Sequence, residues 1–141
     1  MIRRRSDKEL EKMHQANAIV LRALELLKAS LGPGVTTAEL DRIASDSLAR
    51  EGAKAAFKGY RGFPASLCVS VNDEVVHGIP SGAKKLVEGD LVSLDLGAIV
   101  DGYYGDDAIT TGVGEVTQDL QKLLKVAEEA MYKGIEALQP E

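Results

Sequence analysis

The stretch Leu91-Val92-Ser93-Leu94-Asp95-Leu96-Gly97-Ala98-Ile99-Val100-Asp101-Gly102-Tyr103-Tyr104-Gly105-Asp106-Asp107 decides the fold. Asp-Gly between apolar residues is a strong two-residue hairpin signal, because both central positions of the favoured turn need positive φ. With Val100 and Tyr103 as the flanking pair, opposed residues sum to 203, so Asp95 faces Ala108. Asp106 is two residues from Ala108 and therefore shares a sheet face with Asp95. Diagonal neighbours of this kind lie about 7–8 Å apart. Asp107 points to the other face.

Working outward, Leu67 to Val71 is a second aliphatic, β-branched run, and Tyr103 to Thr111 is the returning strand. Upstream are two helices. Ser6 with Glu9 and Thr36 with Glu39 are capping boxes, each satisfying two backbone donors at a helix start. Leu10, Met13, Val20, Leu24, Leu27 and Leu31 recur at helical spacing, and Gly32-Pro33-Gly34 stops that helix, with Gly32 suited to a left-handed cap. In the second helix Val35 can staple onto Leu40, Leu40, Ile43, Ala44 and Leu48 form the inner face, and Gly52 ends it. A third helix runs through Leu120, Leu123, Leu124, Ala127, Met131, Ile135 and Leu138 and stops at Pro140. Helix, helix, strands, helix reads as α+β with an antiparallel sheet, one domain over residues 1–141.

Composition narrows the class. Of 141 residues, 45% are hydrophobic and 28% charged, which excludes a mostly disordered chain. Seventeen basic against 22 acidic residues give −5, arguing against a general nucleic-acid binder; Arg3-Arg4-Arg5 reads as a solvated arm. No apolar run approaches the roughly 18 residues that span a bilayer, and no signal-peptide pattern opens the chain. The lone Cys68 has no internal disulfide partner and suits a reducing, cytoplasmic setting.

Chemistry concentrates in few residues. Asp95, between Leu94 and Leu96, is a carboxylate in an apolar strand, which is costly unless paired or metal-bound. Asp95 and Asp106 are either solvated residues on a polar hairpin face or two oxygen donors sharing a cation of the Mg, Mn, Co or Fe(II) kind. Two carboxylates are too few for a closed site. His77, in Asn72-Asp73-Glu74-Val75-Val76-His77-Gly78-Ile79-Pro80, is either a structural or exposed histidine or a proton donor to a substrate. Cys68 reads as a small buried apolar residue. Tyr60, Gly62, Phe63 and Pro64 form a loop or the wall of an apolar pocket. P-loop, dinucleotide-binding, paired-cysteine and serine-elbow motifs are absent.

The run from Tyr60 through Cys68 and His77 to Pro80, with Gly89-Asp90-Leu91-Val92-Ser93-Leu94-Asp95 and Asp101-Gly102-Tyr103-Tyr104-Gly105-Asp106, resembles type I bacterial methionine aminopeptidase over essentially the whole chain. The resemblance implies a pita-bread fold, two related α+β halves around a two-metal site, and removal of N-terminal methionine from peptides and nascent chains. It implies Co, Mn, Fe or Zn as cofactor, with Asp95 chelating one ion and Asp106 bridging both. His77 becomes a substrate contact near the scissile bond. Phe57, Tyr60, Phe63 and Cys68 fall where the family lines its methionine pocket; Phe57 differs from the smaller residue often found there.

In the family, the remaining ligands (a histidine and two glutamates) and a second substrate-contacting histidine come from the other half. Ala23-Leu24 to Leu31-Gly32-Pro33 is echoed by Ala130-Met131 to Leu138-Gln139-Pro140, as if the third helix opened that half. The expectation is a half pita-bread domain that either homodimerises about a twofold axis, bringing two copies of Asp95 and Asp106 together as four carboxylates, or takes a second-half partner to build its metal site. The competing expectation is a non-catalytic scaffold or a weak metal- or peptide-binding module.

Overall fold

A computed structural model of the chain describes residues 4–139. Its elements are α1 (Asp7–Ala29), α2 (Thr37–Arg50), β1 (Lys54–Ala55), β2 (Leu67–Val71), β3 (Leu91–Val100), β4 (Tyr103–Gly112) and α3 (Gln118–Glu136), with a short 3-10 turn at Tyr60–Gly62. Arg3 of the basic cluster and Pro140, expected to stop the third helix, lie outside the described residues. The α+β expectation holds, and the sheet is wholly antiparallel. β3 is its spine: β4 pairs along one edge, β2 and the two-residue β1 along the other.

Both expected capping boxes form. Ser6 Oγ accepts from the Glu9 amide while Glu9 accepts from Ser6 N–H, and Thr36 and Glu39 reciprocate in the same way. α1 presents Ala16, Ile19, Val20, Ala23, Leu24 and Leu27 to the sheet. Leu10, expected on that stripe, is half exposed; the buried stripe of α1 begins at Ala16. The first helix ends at Ser30, and the left-handed residue is Gly34, φ 89°, in place of Gly32. The connection needs its positive φ two residues later than the spacing suggests, where Gly34 N–H donates to Leu86 O.

The core lies between α1, α2 and one face of the sheet. Leu94 and Leu96 of β3, Leu67 and Val69 of β2, and Leu40 and Leu48 of α2 are essentially fully buried there. Each such side chain contributes about 1.5–3 kcal/mol by leaving water. Helix α1 lies so close to β4 that a Cβ on Gly105 would come within 2.5 Å of the Ala16 carbonyl carbon. The absent side chain lets helix backbone rest directly on strand backbone.

Helix α3 stands outside the core. It spans Gln118–Glu136 and is capped by the Thr117 side chain, yet none of its residues is buried. Leu123, Val126, Met131, Tyr132 and Ile135 are all about half exposed. Its apolar stripe lies beside β4, leaving a cleft lined by Lys28, Ile109, Leu123, Met131 and Tyr132 among others.

The close approach at Gly105 gives a direct test. Gly105→Ala has to displace α1 from β4, and overpacking of this kind costs about 1–3 kcal/mol. Urea unfolding should show the midpoint falling with the slope unchanged; an unaltered midpoint would contradict this packing.

Candidate metal centre and peptide cleft

The hairpin closes as its turn residues require: Asp101 has φ 50° and Gly102 φ 82°, the two positive values of a type I′ turn. The register follows the 203 sum, with Val100 opposite Tyr103, Asp95 opposite Ala108, and Gly97 opposite Asp106. Asp95 and Asp106 therefore share the face turned away from α1 and α2. On β2, Cys68 pairs with Asp95 and joins the same face. Asp107 pairs with Leu96, lies on the opposite face, and bonds through Oδ1 to the Ala108 amide.

Three local devices hold this face open. Asp41 of α2 accepts from the Ser66 and Leu67 amides at 2.8 and 3.0 Å, pinning the start of β2. Gly97, lacking a side chain, lets the Phe57 ring lie on the sheet between Asp95 and the turn; a Cβ there would meet the ring at 2.7 Å. Ser70 Oγ accepts from the Gly78 amide at 3.0 Å, and Gly78 O accepts from Val69 N–H at 2.9 Å. This anchors the irregular 72–80 segment on β2 and leaves His77 at the rim with φ 59°. A left-handed histidine is held only by such surroundings and costs of order 1–3 kcal/mol.

The result is one cleft of about 560 Å³ lined by Phe57, Tyr60, Arg61, Gly62, Phe63, Pro64, Cys68, His77, Ile79, Asp95 and Asp106. Every residue singled out in the sequence (His77, Asp95, Asp106, Tyr60, Phe63, Cys68, with Phe57) lines it. Ile79 and Arg61 were not singled out, because nothing local to them marks a pocket. Asn17 was missed as well. Its Oδ1 accepts from the Asp106 backbone N–H at 3.0 Å, across 89 residues of sequence, and fixes the strand at that carboxylate.

Neither aspartate of the cleft has an ion-pair partner among the described residues. Burial, then the charge of Asp106, raises the Asp95 carboxyl above the ordinary carboxylate value, with His77 offsetting part of the rise. Burial, then Asp107, raises Asp106. Burial, helped by both aspartates, pushes the Cys68 thiol up to about 11. The thiol is therefore protonated at neutral pH and is no nucleophile. Asp95 and Asp106 make no ion pair or side-chain hydrogen bond among the described residues. Two facing carboxylates without a counter-charge are a donor set suited to a hard divalent cation. No cluster of three or more His, Cys, Asp or Glu side chains able to hold a metal exists among the described residues.

A raised folded-state pKa for Asp95 carries a sign. Below the ordinary carboxylate value both folded and unfolded chains are protonated. Between that value and the raised one only the folded chain keeps its proton, so stability falls as pH rises through the window. Asp95→Asn removes this loss. In metal-free buffer the variant should be more stable than the parent at about pH 7.5 and gain nothing at about pH 3. Urea unfolding at the two pH values measures it, and a variant weaker than the parent at neutral pH would contradict the uncompensated-pair reading.

Known proteins resemble this chain in sequence and fold. Metallopeptidase family M24 matches residues 11–141. The methionine aminopeptidase of Clostridium acetobutylicum is 50% identical over 136 residues, covering 96% of this chain and 54% of that protein. Methionine aminopeptidase 1 of Bacillus subtilis is 47% identical over 140 residues, covering 99% and 56%. The crystal structure of methionine aminopeptidase from Thermotoga maritima superposes with a TM-score of 0.95 at 40% identity, over 99% of this chain and 56% of that one. The chain thus spans about half the length of the curated relatives it matches, and its α+β fold is half of the pita-bread arrangement. By sequence and by fold, the chain belongs to metallopeptidase family M24.

Proposed function

We propose that the chain carries the chemistry of a metal-dependent methionine aminopeptidase, hydrolytic removal of N-terminal methionine from peptides and nascent chains, and that it works as a homodimer. The observation that supports this most is the cleft itself, where two uncompensated carboxylates, Asp95 and Asp106, stand beside an aromatic wall. Asp95 and Asp106 hold the divalent cation, of the Co, Mn, Fe or Zn kind. When bound, such an ion polarises a scissile carbonyl and makes a nearby water more acidic. Phe57, Tyr60 and Phe63 take the unbranched methionine side chain and exclude water from it. Cys68 stays neutral against that side chain. His77 donates a hydrogen bond to the scissile peptide group from the rim.

Dimerisation is supported by the amphipathic helix α3, whose apolar face is uncovered among the described residues. A twofold copy would cover that face over more than about 1,000 Å² and add a second set of carboxylates. The absence of a three-ligand cluster among the described residues favours a second reading, a weak metal- or peptide-binding module without turnover. Cytoplasmic location belongs to the proposal on the ground of the reduced Cys68.

Release of methionine from a Met-Ala-Ser peptide with Mn(II) or Co(II) separates the readings. His77→Ala should lower turnover by about 10²–10⁴-fold with Mn(II) affinity by calorimetry nearly intact, whereas Asp106→Ala should lose turnover and affinity together. Equal rates for the parent and Asp106→Ala would leave the binding-module reading standing. Sedimentation should give a dimer, and a monomer at all concentrations would contradict the assembly.

A further inference from the structure

Arg61 stands out at the mouth of the cleft. It is the one arginine or lysine among the residues lining it. Its guanidinium lies 5.4 Å from the centroid of the Tyr60 ring, in cation–π range, and makes no ion pair among the described residues. Its backbone is left-handed, φ 49° and ψ 29°, between Gly59 and Gly62, both with φ 85°. The turn is closed by Gly59 N–H to Phe63 O at 2.8 Å and Phe63 N–H to Tyr60 O at 2.9 Å. A third glycine would make this turn without strain, and a side-chain-bearing residue here costs free energy. The guanidinium is thus displayed over an aromatic ring, a positive charge in the cleft that Asp95 and Asp106 also line.

We propose that Arg61 determines specificity by reading a carboxylate on the peptide downstream of the residue held in the cleft. This rests on the reading of the cleft as a peptide site. In the metal-free chain a peptide N-terminus brings an α-ammonium, which the two aspartates attract, and an arginine fork suits a carboxylate further along. That carboxylate comes either from an acidic side chain or from the C-terminus of a short peptide. The chain's net charge of −5 disfavours acidic ligands in general, so a preference for them has to come from a local cation.

The test is amide chemical-shift titration of the metal-free chain with three peptides: Met-Ala-Ser-amide, Met-Ala-Ser with a free C-terminus, and Met-Glu-Ser-amide. At about 0.01 M salt the carboxylate-bearing peptides should bind about two- to fivefold tighter than Met-Ala-Ser-amide, the size of an exposed ion pair, and the gap should close at about 1 M. Which of the two carboxylate peptides gains identifies the source. Arg61→Gln, with the spectrum outside residues 57–64 unchanged, should bring all three to the affinity of Met-Ala-Ser-amide. Equal binding of all three by the parent, or a gap that survives Arg61→Gln, would overturn the role of Arg61 alone. No shift at the cleft amides with any peptide would overturn the peptide-site reading and this inference with it.

Discussion

The pairing of β3 with β4 is the constraint on which both the core and the cleft depend. Ten successive pairs run from Leu91–Gly112 to Val100–Tyr103, closed by a turn that only Asp101-Gly102 or a close equivalent makes without strain. Strand side chains alternate, so the register that buries Leu94 and Leu96 against α1 and α2 also turns Asp95 outward beside Asp106. A slip of one residue would bury a carboxylate and expose two leucines. The contact of α1 with Gly105 and the bond from Asn17 to the Asp106 amide lock the same register from the helix side. Hydrophobic burial and the placement of the aspartates therefore stand or fall together.

That coupling explains how the fold tolerates an electrostatically unfavourable face. Asp95 and Asp106 are partly desolvated; the charge of Asp106 adds to the cost at Asp95, where His77 opposes it, and Asp107 adds to the cost at Asp106. Arg61 and His77 are held in left-handed backbone at the rim. Each of these features costs stability, and all lie on the sheet face away from the core. The helices supply the burial that offsets them. Local cost concentrated in one cleft is the pattern expected where binding, and not packing, dictates the residues.

Much of this was legible in the sequence because its causes are local. Turn chemistry at Asp101-Gly102 dictates φ at two positions and thereby the register of every residue behind it. The capping boxes at Ser6–Glu9 and Thr36–Glu39 likewise need only four residues each. What the sequence hid depends on distant partners. Helix α3 has the periodicity of a core helix, yet periodicity says nothing of whether a partner surface exists, and its stripe is uncovered. Leu10 looked like the start of the α1 stripe, but where the sheet begins beneath a helix is a tertiary fact. Asn17 acts across 89 residues, and Arg61 matters only because its turn delivers it to the cleft.

The central claim is that Asp95 and Asp106 form one cation-binding face created by the strand register. Paramagnetic broadening of assigned amide resonances by substoichiometric Mn(II) tests it most directly, because the effect falls steeply with distance from the ion. The account predicts broadening centred on Asp95 and Asp106 and extending to Cys68 and His77, with α1 and α2 sharp. Broadening centred on other acidic residues, such as Glu128 and Glu129 of α3, with Asp95 and Asp106 unaffected, would contradict it.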